Sequence, residues 1–262
     1  MLTATVNGAD LHYALSGPAD GPAVVFANSL GTDLRVWDAL LPHLPSGLRV
    51  LRYDKRGHGL SEETPGPYSI EMLADDAAGL IGHLGLRDVV FTGLSIGGQI
   101  GQSLAARHPG LLAGLVVSNS AARIGDARMW QERIAAIRAG GLASIAGPTM
   151  ERWFSAAFRA AGRDALWARM LARQPVEGYI ACCEAIAQAD LRDTTAALTL
   201  PVQFIAGGHD GSTPPDVVRA TADLIPGARH DLIDAAAHIP CVEAPAEFAA
   251  ILTRFLKETG HA

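Results

Sequence analysis

Gly93-Leu94-Ser95-Ile96-Gly97 constrains this chain more than any other stretch, because it sets a serine between two spaced glycines where an apolar run meets a helical pattern. Val89-Val90-Phe91-Thr92 before it reads as a strand, and Ile96 to Arg107 after it as a helix. A side chain carried on so sharp a turn sits in strained backbone, and the residues two before and two after it must be small. Gly93 and Gly97 meet that demand, so the turn presents Ser95 as a nucleophile.

Short β-branched runs alternate with longer helical patterns along most of the chain. Candidate strands are Leu11–Leu15, Ala23–Ala27, Leu48–Tyr53, Val89–Thr92, Leu115–Ser118, Val202–Ala206 and Arg229–Ile233. Between them, Trp37–Leu44, Ile70–Leu84, Ile96–Arg107, Val217–Leu224 and Ala246–Leu256 carry apolar residues at helical spacing. This order predicts an α/β fold, a doubly wound and mainly parallel sheet with crossover helices, whose chemical residues fall just after strand ends.

From about Ala122 to Thr195 the alternation stops. That segment holds Trp130, Trp153 and Trp167, and it is broken by Gly140-Gly141, Gly147-Pro148 and Gln174-Pro175. It reads as several short helices inserted after a strand, forming a cap over residues 122–195 on a core built from 1–121 and 196–262. A chain of 262 residues is consistent with one such body carrying an insertion.

Composition removes several function classes. Hydrophobic residues make up 49% and charged residues 18%, which argues for a well-filled interior rather than disorder. A net charge of −6 and the lack of any Lys/Arg block disfavour nucleic acid as a partner. The start, Met1 to Gly8, has neither a basic nor an apolar signal region, and stretches such as Leu111 to Val117 are too short to span a bilayer. A cytoplasmic protein without a membrane partner is the expectation. Cys182, Cys183 and Cys241 form neither a disulfide framework nor a zinc spacing, and read as small buried hydrophobes.

A serine hydroxyl needs a base within hydrogen-bond reach, itself oriented by a carboxylate. Asp210 follows the strand Val202–Ala206 through Gly207-Gly208-His209, and His238 follows the last strand in Asp234-Ala235-Ala236-Ala237-His238-Ile239-Pro240. Ser95, Asp210 and His238 thus occur in the chain order of a strand-borne triad. His58, after another strand in Asp54-Lys55-Arg56-Gly57-His58-Gly59, is the strongest rival base; His209 is a second, and both also read as polar loop residues. No histidine pair has metal-ligand spacing, so neither metal nor cofactor is called for. Two backbone donors should face the oxyanion: the N–H of Ile96, at a helix start, and that of Leu30, in Asn28-Ser29-Leu30-Gly31.

Together these strings resemble the α/β-hydrolase fold over essentially the whole chain, and within it the 3-oxoadipate enol-lactonases. The resemblance rests on Asn28-Ser29-Leu30-Gly31-Thr32-Asp33-Leu34, Arg52 to Gly59, Gly93 to Gly98 and Asn119-Ser120-Ala121-Ala122-Arg123-Ile124-Gly125. Glu177-Gly178-Tyr179, Cys183-Glu184-Ala185-Ile186 and Ala189-Asp190-Leu191-Arg192 add to it, while Ala237 stands where many relatives have glycine.

The resemblance implies opening of a small anionic enol-lactone to 3-oxoadipate in aromatic-compound catabolism, the β-ketoadipate pathway. A free carboxylate on the substrate favours an arginine fork. Arg133 lies three residues after Trp130, so on a helix the two share a face and offer a charge and an apolar wall. Arg123 is the second choice for the carboxylate, and Trp153 a cover for the ring; against them stands the reading that such arginines are solvated and such tryptophans pack the cap. A broad carboxylesterase or perhydrolase, a carbon–carbon bond hydrolase and a ligand-sensing receptor use the same scaffold and stay as alternatives. Homo-oligomerisation is left open.

Overall fold

Five consecutive apolar residues, Ala23–Ala27, are buried throughout, as a strand covered on both faces requires. They form the middle of an eight-stranded sheet in a computed structural model that describes residues 1–262. The strands are β1 (Leu2–Val6), β2 (Ala9–Ser16), β3 (Ala23–Ala27), β4 (Arg49–Tyr53), β5 (Val89–Leu94), β6 (Leu112–Ser118), β7 (Val202–Gly207) and β8 (Arg229–Ile233). Their order is β1-β2-β4-β3-β5-β6-β7-β8. β1, β2 and β4 pair antiparallel, and every pair from β4 to β8 is parallel.

Two helices sit between the inner strands: α1 (Ile70–His83), capped by Ser69 accepting from the Met72 N–H, and α2 (Ile96–Arg107). α2 buries Ile96, Ile100 and Leu104, one above the other at four-residue spacing. Six helices then intervene before β7: α3 (Ala127–Ser144), α4 (Ala146–Trp153), α5 (Ala156–Ala160), α6 (Ala165–Ala172), α7 (Val176–Gln188) and α8 (Arg192–Ala196). The chain closes with α9 (Pro215–Ala222), α10 (Pro240–Glu243) and α11 (Pro245–Glu258). The result is a mixed and mostly parallel α/β sheet with a helical insertion, the architecture that the resemblance implies.

Two elements differ from the sequence expectation. β1 was not predicted: it is a short edge strand joined to β2 by Asn7 and Gly8, both at positive φ (48° and 72°), and only its pairing with β2 defines it. Trp37–Leu44 is not one helix but two 3-10 turns, Leu34–Trp37 and Leu41–His43, with Pro42 opening the second.

The sheet reverses its winding at β3, which has β4 on one side and β5 on the other, and a crevice opens at such a reversal beyond the strand ends. Ala27 at the end of β3 lies opposite Gly93 near the end of β5, so the Asn28–Gly31 turn and Ser95 leave the sheet side by side. The insertion packs on that spot. Gly31 has φ +81°, and a Cβ there would lie 2.6 Å from Leu171 Cδ1 of α6 and 3.0 Å from Tyr179 of α7. Trp153, Phe154, Leu171 and Tyr179 belong to the same buried core as the sheet.

Candidate active site

Ser95 has φ 58° and ψ −119°, a conformation that a non-glycine residue holds only where its surroundings enforce it. The enforcement is visible. A Cβ on Gly93 would sit 2.0 Å from the Gly97 carbonyl oxygen, and one on Gly97 would sit 2.2 Å from the Ala27 oxygen, so both flanking positions need glycine. The Ser95 N–H donates to Ser118 O at 2.9 Å, locking the elbow onto the end of β6. The side chain lines a cavity of about 430 Å3 together with Leu30, Trp130, Arg133, Trp153 and His238.

Asp210 leaves β7 and is held from several directions. Its Oδ1 accepts from the Ser212 and Thr213 N–H groups at 2.7 and 2.9 Å, and its Oδ2 accepts from Asn119 Nδ2 at 2.9 Å. That same Oδ2 lies 2.8 Å from His238 Nδ1. A proton on Nδ1 serves this bond and leaves Nε2 as the basic nitrogen. No hydrogen bond joins the Ser95 hydroxyl to the His238 ring, although both line one cavity. Such contacts tighten when substrate binds.

The loop bearing His238 is tied to the insertion. The His238 N–H donates to Trp153 O at 3.0 Å, and the Ala237 N–H donates to Glu243 Oε1 at 2.7 Å. The other oxygen of Glu243 accepts from Ser155 Oγ and Ser155 N–H, at 2.6 and 3.1 Å. Ala237 has no positive φ, so alanine is accommodated where glycine is frequent.

The Leu30 N–H has no acceptor within the protein, while its neighbours are fixed. Lys55 Nζ donates to Ser29 O at 2.7 Å, the Gly31 N–H donates to His58 Nε2 at 3.0 Å, and Asn28 bridges Tyr53 O and Trp37 Nε1. Ile96 starts α2 directly after Ser95, which puts a helix amino terminus at the same place. His58, the rival base, is fully buried under the turn rather than beside Ser95. Burial and then the Lys55 charge hold its pKa well below the ordinary range, so it stays a neutral acceptor. Burial likewise lowers Lys55 to about 8.

The aromatic and basic candidates separate. Trp130 and Trp153 are buried and wall the cavity, and Trp130 Nε1 donates to Ile124 O at 2.8 Å. Arg133 reaches the cavity with its Nε on Tyr179 OH at 3.0 Å and its Nη2 on Thr149 Oγ1 at 3.2 Å. Burial raises the Tyr179 phenol to about 12, so it accepts as a neutral hydroxyl. Arg123 requires correction: its side chain is 51% exposed, faces Asp190 at 3.7 Å and does not line the cavity. A larger cavity of about 610 Å3, between His12, Asp54 and α6, is lined by no serine, threonine or cysteine and does not reach Ser95.

A family model described as the alpha/beta hydrolase fold matches residues 22–245. The chain belongs to the α/β-hydrolase family. This hydrolase is 37% identical over 259 residues to 3-oxoadipate enol-lactonase 2 of Acinetobacter baylyi, covering 97% of each protein. It is 33% identical to 3-oxoadipate enol-lactonase 1 of the same organism, over 96% of this chain and 94% of that one. Among solved structures it superimposes on the enol-lactonase from Burkholderia xenovorans LB400 with a TM-score of 0.94, at 39% identity, covering 98% of this chain and all of the other. No helix of the hydrolase is long and apolar enough to cross a membrane.

Three residues that shape this hydrolase's site escaped the sequence reading. Asn119, at φ 48°, follows β6 as Ser95 follows β5, and its place after a strand end was the available signal. Glu243 had none, since its role depends on the loop folding back. Arg152 stands beside Trp153 at the end of α4; it lines the cavity, is half-buried, and has neither a hydrogen bond nor an ion pair from its guanidinium.

Proposed function

We propose that the protein is a carboxylic ester hydrolase that opens 3-oxoadipate enol-lactone to 3-oxoadipate through an acyl-enzyme on Ser95. His238, oriented by Asp210, takes the Ser95 proton as Oγ attacks the lactone carbonyl. The N–H groups of Leu30 and Ile96 receive the resulting oxyanion. Collapse of the intermediate breaks the acyl carbon–oxygen bond, and His238 returns its proton to the departing enol oxygen.

That oxygen stays tethered to the acyl group and could re-close the ring at high effective molarity. Ketonisation of the enol removes the nucleophile and makes the opening one-way. Water, losing a proton to His238, then attacks the acyl-enzyme, and Ser95 leaves with the proton restored. The inserted helices serve as a cap that keeps bulk water from the ester between these steps.

The observation that carries this reading is the combination in one cavity of Ser95, His238 and two guanidinium groups, those of Arg133 and Arg152. The acid among the lining residues, Glu132, is paired with Arg128 Nε at 2.8 Å and leaves that positive charge uncompensated. An acyl substrate with a free carboxylate supplies the missing anion. The enol-lactonases among its relatives favour the same substrate class.

The test compares turnover of the enol-lactone, a neutral lactone and a simple aryl ester under matched conditions. A strong preference for the first is expected. Comparable rates on all three would replace this reading with a general carboxylesterase.

A further inference from the structure

We propose that Arg152 is a specificity-determining residue, which together with Arg133 binds the carboxylate of the acyl substrate and holds it at a fixed reach from Ser95. This deepens the hydrolase reading above and rests on it. Both arginines line the cavity that contains Ser95 and His238, yet their circumstances differ. Arg133 is braced by Tyr179 OH and Thr149 Oγ1, whereas no protein group accepts from any of the five donors of Arg152.

A guanidinium that no protein group accepts from, partly desolvated beside a second positive charge, is poised to take an anion. Desolvation and then the Arg133 charge both work against the protonated form of Arg152, and the smaller influences of Tyr179 and Glu151 oppose them. Arginine cannot escape by losing its proton at working pH. An anion between the two groups relieves the conflict, and a carboxylate matches the planar fork of each.

Backbone contacts fix where that anion lies relative to the reacting carbonyl. The Arg152 carbonyl accepts from the Gly211 N–H at 3.3 Å, one residue beyond Asp210, and the Trp153 carbonyl accepts from the His238 N–H at 3.0 Å. One end of α4 therefore carries the anion-binding side chain and holds the backbone of both the acid and the base loops. The Arg152 backbone cannot shift along the cavity without disturbing them, so the reach of its guanidinium is bounded by the length of its side chain, and carboxylates beyond that reach are disfavoured.

The test uses full-length protein as wild type, Arg152→Gln and Arg152→Lys, with the enol-lactone and its methyl ester as an anionic and neutral pair on the same ring. The readout is the ratio of kcat/KM for acid over ester, which any general damage to folding or chemistry leaves unmoved. Arg152→Gln is expected to lower that ratio about 10- to 100-fold, mainly through KM for the acid, and Arg152→Lys to restore part of it. An unchanged ratio in Arg152→Gln would overturn the proposal.

Calorimetric binding of 4-oxopentanoate and its methyl ester separates this inference from the reading beneath it. If wild type turned over neither lactone but bound the acid in preference to the ester, and Arg152→Gln lost that preference, the enol-lactone assignment would fail and the anion site would stand. Equal binding of acid and ester by wild type, with an unchanged kinetic ratio, would overturn the anion site itself.

Discussion

Asn119 Nδ2 donates to the same oxygen of Asp210 that faces His238 Nδ1, at 2.9 and 2.8 Å respectively. The amide also donates to the Ala237 carbonyl at 3.1 Å, so one side chain joins the end of β6 to the Asp210 carboxylate and to the residue before His238. Its positive φ suits asparagine, which tolerates the left-handed region better than most residues.

Asn119→Ala is expected to lower kcat about 10- to 100-fold with little change in KM, because a hydrogen bond to a charged group of about 1.5–3 kcal/mol is lost from the carboxylate that orients the base. Steady-state kinetics on the preferred substrate checks this. A change confined to KM would place Asn119 in binding rather than in orientation.

Glu243 joins the His238 loop to the insertion through Ala237 N–H, Ser155 N–H and Ser155 Oγ. Glu243→Gln keeps the shape but turns one acceptor into an NH2 group facing a donor. A loss of about 1–2 kcal/mol in unfolding free energy is predicted. Urea denaturation measures it, and a midpoint indistinguishable from wild type would remove Glu243 from that role.

His58 accepts from the Gly31 N–H while fully buried, with its pKa held well below 6.5 by burial and Lys55. As pH falls below about 6.5, the unfolded chain takes up a proton that the native chain refuses, so native stability drops by up to about 1.4 kcal/mol per pH unit from this residue. The contribution is intact above pH 6.5 and declines towards the lower folded value. His58→Gln offers an amide oxygen to Gly31 and does not titrate. Its urea midpoint should fall less than that of wild type between pH 7 and 5.5; parallel declines would show that His58 is protonated in the native protein.

The elbow and the two loops carrying Asp210 and His238 were legible because each follows a strand of an alternating pattern, and such a sheet gathers its strand ends. Asn119 sits at an equivalent strand end, but an asparagine there carries no chemical label until its partner is seen. The arginines carry the weakest positional signal. Arg133 and Trp130, three residues apart on α3, both line the cavity, whereas Arg123, also just past a strand, turns outwards to Asp190. A long, flexible side chain points where packing of its element allows, and the orientation of α4 that aims Arg152 into the cavity comes from bonds to Gly211 and His238 far along the chain. β1 was illegible for a similar reason: five residues at the chain end become a strand only by pairing.

The central claim is that the Ser95 hydroxyl opens the lactone. It is tested most directly by kcat for 3-oxoadipate enol-lactone at saturating substrate, wild type against Ser95→Ala. The account predicts a fall of roughly three to six orders of magnitude, with only binding and the oxyanion donors left to catalyse. Turnover by Ser95→Ala within about 10-fold of wild type, which corresponds to only about 1.4 kcal/mol in the barrier, would contradict it.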